Sequence, residues 1–142
     1  CGCFIINSDK CSICSSDSRN SKILCIVEEQ KDMMAIEETG VFSGFYHILG
    51  GTINPLENRT PEKLRIKELL FRLKQKDFEE ILVATNPTIK EDATFLYLQN
   101  LIKTTFQNIK ISTIATGLPM GGVLEYADKH TLSKAIEQKQ YT

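Results

Sequence analysis

Four of the five cysteines fall in the first fourteen residues: Cys1, Cys3, Cys11 and Cys14. Cys11-Ser12-Ile13-Cys14 is a C-x-x-C pair, a spacing that aims two thiolates at one tetrahedral ion from a tight turn. Cys1 and Cys3 lie a short loop upstream. Two close pairs joined by a short loop predict a four-thiolate zinc site. Such a site is closed and structural, because all-thiolate ligation leaves no position for a reacting water. C-x-C is a less usual ligand spacing than C-x-x-C, so a further ligand preceding residue 1 is the alternative source of the fourth sulfur. A pair of disulfides would need an oxidising compartment, of which the sequence gives no sign, and would leave Cys25 odd. A redox C-x-x-C opens a helix after a strand, whereas this one sits among Ser, Asp and Asn. Cys25 lies inside the apolar run Ile23-Leu24-Cys25-Ile26-Val27 and reads as a buried small hydrophobe.

Acids form the second candidate group. Glu28 and Glu29 directly follow the run 23–27, and Asn86 directly follows Ile81–Ala84 and Thr85. Glu28 and Asn86 are expected to project together at one rim. Neighbouring carboxylates there would bind Mg²⁺ through hard oxygen ligands. The chain has no D-x-D, however, and offers Asn86 where a second acid is wanted. Glu91 and Asp92 lie at a helix start, where acids have an ordinary electrostatic role. The rim Glu28, Asn86, Asp92 therefore gives only weak support to a Mg²⁺ site. Gly117–Gly122 lacks the G-K-[ST] ending of a phosphate-binding loop, so the acids Glu125 and Asp128 after it do not indicate nucleotide hydrolysis. His47 and His130 have no ligand spacing and read as surface or hydrogen-bonding residues.

The elements that must position these groups alternate. Strand-like runs at 23–27, 46–49, 81–84 and 109–113 are separated by helical patterns at 31–39, 61–76 and 91–104, and a closing helix spans 131–138. Continuous apolar strands between amphipathic helices predict an α/β domain with a parallel sheet covered on both faces. Ligands gather at the carboxyl ends of such strands. Pro61 with Thr60 as N-cap marks the second helix start. Its Ile66, Leu69, Leu70 and Leu73 form one apolar arc flanked by Lys63, Arg65, Lys67, Arg72, Lys74 and Lys76. Those basic chains read as edges of a core helix rather than as a phosphate-binding face.

Composition bounds the function. The chain has 142 residues, 17 Lys+Arg against 18 Asp+Glu, and a net charge of −1. That length suits one compact domain, or one domain plus a small appendage, and the charge balance opposes a basic nucleic-acid arm. No apolar run approaches the ~20 residues of a membrane helix. The chain begins with Cys rather than Met, which suggests a natural start further upstream.

Taken together, the cysteine cluster, Cys25-Ile-Val-Glu28, Ala35-Ile-Glu37, Phe42–Gly51, Asn54-Pro-Leu56, Ala84–Thr88, Gly117–Gly122, Leu124–Asp128 and Thr131-Leu-Ser133 resemble the RecR family of bacterial recombination mediators. The resemblance implies a small four-cysteine zinc finger (1–20), a Toprim domain (21–113), which is a Rossmann-like parallel sheet with flanking helices, and a C-terminal segment (114–142) with a Walker B-like motif at Glu125 and Asp128. It implies structural Zn²⁺ on Cys1, Cys3, Cys11 and Cys14. The family's first zinc pair is C-x-x-C followed by Gly; Cys1-Gly2 matches its second Cys, which would place the first upstream and leave Cys3 outside the family set. The family's helix-hairpin-helix DNA-binding region has no counterpart here. Glu28, Glu29 and Asp32 would supply an acidic docking face, and charge reversal at Glu28 is expected to weaken docking and leave the fold intact. The implied function is non-enzymatic: acting in the cytoplasm, at the nucleoid, with RecO and RecF to load RecA on gapped or single-stranded DNA, as a dimer or ring-like tetramer. The rival is a Mg²⁺-dependent Toprim nuclease or primase-like enzyme.

Overall fold

The computed structural model describes residues 1–6, 8–86 and 92–142. Four parallel strands form one sheet: β1 (Ile23–Val27), β2 (Phe45–Ile48), β3 (Glu80–Ala84) and β4 (Lys110–Thr113), in the order β2-β1-β3-β4. Register runs Leu24 beside Phe45 and Ile81, and Val27 beside Ile48 and Ala84. The expected strands and parallel sheet are present.

Alternation along the strands divides the core. Leu24, Ile26, Phe45, Ile81 and Val83 face one side, where they meet α2 (Ile66–Gln75) and α3 (Asp92–Thr105). Cys25, Val27, Tyr46, Ile48 and Ala84 face the other, against α1 (Gln30–Glu38) through Met33 and Ile36. The chain moves one way from β1 to β2 and the opposite way from β2 to β3. With a constant crossover hand, these opposite moves put α1 and α2 on opposite faces. Cys25 is fully buried, as expected, and burial pushes its thiol up to about 12. In α3, Leu98 and Ile102 are buried while Leu96 is exposed.

The second helix departs from its pattern. Pro61–Lys63 is a 3₁₀ turn, Leu64 is extended, and α2 begins only at Ile66; Thr60 makes no side-chain cap. The cause is tertiary. Leu64 is buried in the core, Arg65 N–H donates to Leu49 O at 2.9 Å, and His47 Nε2 meets Arg65 O at 2.8 Å. The Arg65 N–H is thereby diverted to Leu49, just past β2, while Arg65 O still accepts the first helical bond of α2 from Leu69 N–H at 3.2 Å.

His47 itself is buried, 1 % exposed, and is the hydrogen-bonding rather than the surface residue of the two expected readings. Its ring meets Arg65 O through Nε2, and no Nδ1 partner occurs among the described residues. Burial, opposed by the Arg65 bond and reinforced by Arg72, lowers its pKa from 6.5 to about 4. The folded state therefore favours neutral His47, while the unfolded chain takes up a proton below 6.5. Stability from this residue is complete above that pH and is lost as pH falls toward 4. The loss is expected to reach about 2–3 kcal/mol. Urea unfolding at a series of pH values should show this drop, and His47→Asn should lack it; an identical profile in the variant would contradict the assignment.

The C-terminal segment is mostly exposed. It holds a 3₁₀ turn at Leu124–Tyr126 and α4 (Lys129–Glu137). No described helix is long and apolar enough to cross a membrane.

Candidate metal centre and strand-end rim

The cysteine segment is fastened to the open edge of β2. Ile48 N–H donates to Cys1 O at 2.7 Å, so the first residue continues the sheet's hydrogen bonding. Gly2 follows at φ +87, and a Cβ there would lie 2.8 Å from Ile48 O, which only glycine avoids. Phe4 N–H then donates to Gln30 Oε1 on α1 at 2.7 Å. Further on, Ser15 N–H and Oγ both bond Cys11 O, at 3.0 and 2.9 Å. This turn sets Cys11 and Cys14 on one side and lets Ile13 pack onto both core clusters.

The result is a thiol cluster. One sulfur from each of Cys1, Cys11 and Cys14 lies within 4.8 Å of the others, all partly buried. A tetrahedral zinc with Zn–S near 2.3 Å requires sulfurs about 3.8 Å apart. The cluster fits that size with a small contraction, and it can hold a metal ion. Cys3 stands beside this group: its Sγ donates to Met33 Sδ at 3.6 Å. Burial, then the neighbouring Cys11 and Cys14 thiols, raise the Cys3 thiol to about 11.

One further residue reaches the cluster from the sheet side. Arg72 of α2 donates through Nη1 to Tyr46 O at 2.6 Å and through Nη2 to Cys14 Sγ at 3.9 Å. In the sequence Arg72 was one of several basic positions beside an apolar arc, with nothing to separate it from Lys67 or Lys74.

The rim lies at the sheet's topological switch point, between the carboxyl ends of β1 and β3. There Glu28 and Asn86 meet, as their strand positions predict. Asn86 donates its backbone N–H to Glu28 Oε1 and its side-chain amide to Oε2, both at 2.8 Å. Gly50 and Gly51 N–H groups bond Glu28 O at 2.8 and 3.0 Å. Glu28 is only 6 % exposed. Charge reversal of a buried carboxylate held this way is expected to disturb the fold, against the sequence-based expectation that it would leave the fold intact. Glu29 and Asp32 lie outside it at the start of α1. Asp32 Oδ2 accepts from Glu29 N–H at 3.0 Å, and Glu29 pairs with Lys31 at 3.1 Å. Glu91 and the Asp92 side chain lie outside the described residues.

Glu125 and Asp128 are both on the C-terminal segment. Asp128 is the N-cap of α4: it accepts from Thr131 N–H at 2.9 Å and Thr131 Oγ1 at 2.8 Å, bonds that lower its pKa. Glu125 lies in the preceding 3₁₀ turn.

A doubly wound parallel sheet, an acid at its switch point and a cysteine cluster on its edge define a Toprim-type protein with an attached thiol centre. Residues 22–115 match the Toprim domain family, and residues 117–140 match the family described as "RecR, C-terminal". The chain is 47 % identical to recombination protein RecR of Clostridium perfringens over 137 residues, covering 96 % of this chain and 67 % of the relative. It is 45 % identical to that of Carboxydothermus hydrogenoformans over 139 residues, covering 97 % and 69 %. The chain belongs to the RecR family of recombination proteins.

Proposed function

We propose that this chain is a non-enzymatic scaffold of bacterial recombinational DNA repair. Its organisation would be a zinc finger at 1–20, a Toprim domain at 21–113 and a C-terminal segment at 114–142 carrying the Walker B-like Glu125 and Asp128. In the cytoplasm it would act with RecO and RecF to help load RecA on gapped or single-stranded DNA, within a dimer or ring-like tetramer. The observation that carries this reading is the identity near one half to relatives named recombination protein RecR, over nearly the whole chain.

The geometry supports a division of labour. Zn²⁺ would be held by Cys1, Cys11 and Cys14, with Cys3 turning from Met33 as the fourth thiol. Such a closed site supplies a cross-link rather than a reaction. Glu28 keeps the β1 and β3 ends together, and the more exposed Glu29 and Asp32 form the docking face for RecO. Glu28's engagement with Asn86 opposes the rival nuclease reading, because Mg²⁺ would have to compete for oxygens already bonded.

The test is assembly of RecA on single-stranded DNA coated with single-strand-binding protein, with RecO present. Adding this chain is expected to speed assembly several-fold. No stimulation would overturn the proposal. So would Mg²⁺-dependent plasmid nicking that follows the pure protein through every column.

A further inference from the structure

We infer that Arg72 is the charge-compensating and positioning residue of the thiol centre, coupling metal binding to the Toprim core. The inference rests on the reading that Cys1, Cys11 and Cys14 hold a metal ion.

Arg72 is half-buried on α2. Among the described residues its guanidinium meets Tyr46 O at 2.6 Å, Cys14 Sγ at 3.9 Å, and the Phe78 ring with its centroid 6.0 Å away. Among the described residues, no carboxylate forms an ion pair with it. Arg19 is handled differently, since it pairs with Glu37 as well as donating to Gly44 O at 2.8 Å. A partly desolvated cation without a carboxylate calls for another anion nearby.

The thiol cluster is the group that becomes anionic. Metal ligands must be thiolates, so a divalent ion with three or four of them carries a net charge of −1 or −2. That charge arises beside Nη2 of Arg72. An N–H donated to a ligating sulfur stabilises the thiolate and fixes its direction, as partners behind metal ligands generally do. The second arm of the same guanidinium holds Tyr46 O on β2, two residues before the Ile48 N–H that carries Cys1. One planar fork thus sets Cys14 against the strand that sets Cys1. Lysine keeps the charge but cannot span both acceptors.

The experiment titrates the 142-residue chain and its Arg72→Met and Arg72→Lys variants with Co²⁺, followed by the thiolate-to-cobalt charge-transfer band. Displacement by Zn²⁺ gives relative affinities, and metal-free melting is recorded for each protein. Arg72→Met, which keeps packing against Phe78, is expected to bind about 10- to 100-fold more weakly. Arg72→Lys should recover part of that loss, with metal-free midpoints alike in the two variants. Unchanged affinity in Arg72→Met, or equal losses in Met and Lys, would overturn the role of Arg72 while leaving the metal centre standing. No stoichiometric Co²⁺ in the unaltered chain would overturn the metal reading and this inference together.

Discussion

Glu28→Lys is expected to cost about 3–5 kcal/mol of stability, the scale for leaving a buried charge without its partners. Glu28 is 6 % exposed, and both its carboxylate oxygens accept hydrogen bonds from Asn86. A lysine there would set an ammonium, itself only a donor, against two neutral N–H donors of Asn86 with no acceptor between them. Domains of this kind have about 5–15 kcal/mol in total, so the variant would be marginal or unfolded. Glu28→Gln keeps the shape and one carbonyl acceptor, and should lose about 1–2 kcal/mol. Urea unfolding monitored by circular dichroism orders the three proteins. A Glu28→Lys protein as stable as the parent would show that the rim is solvated and the Asn86 bonds are weak.

Stripping the metal centre should have the second large effect, confined to one end of the molecule. Structural zinc is worth on the order of 10 kcal/mol in small fingers that have no other core. Residues 1–20 have little core of their own beyond Ile13. The sheet with α2 and α3, by contrast, holds a core that includes the fully buried Leu24, Leu69, Ile81, Leu98 and Ile102. Chelation, or Cys14→Ser, is therefore expected to release residues 1–20 while the sheet stays folded. The effect should extend to one further backbone group: Ile48 N–H, bonded to Cys1 O, should lose protection against hydrogen exchange. Leu24 to Val27 should keep theirs. Collapse of the whole circular dichroism signal would contradict this division, and so would unchanged exchange at Ile48.

β1, β2 and β3 were legible because each is a short, mostly apolar run, the pattern that strands buried on both faces require; β4 (KIST) carries that signal only through Ile111 and has no buried residue. The approach of Glu28 to Asn86 was legible for the same reason, since both follow such runs. The start of the second helix was not. Pro61 and Thr60 are sound local signals, but Leu49 and His47 bond the backbone at Arg65 and delay the helix to Ile66. The burial of His47 was hidden because β2 has only four residues, every one of them buried. Arg72 was hidden more deeply. Its contacts join residues 26 and 58 positions apart, and no spacing along one helix announces them. The cysteine spacing located the cluster, yet it could not reveal that Cys3 rests against Met33.

The central claim is that this chain is a docking scaffold in which the exposed Glu29 and half-buried Asp32, rather than the buried Glu28, meet the partner. Calorimetric titration with RecO tests it most directly. The parent chain should bind with a measurable heat and a defined stoichiometry, and the Glu29→Lys/Asp32→Lys variant should bind at least about tenfold more weakly, a loss of about 1.4 kcal/mol, with its fold retained. Equal affinity in the folded variant, or no binding by the parent, would contradict the account.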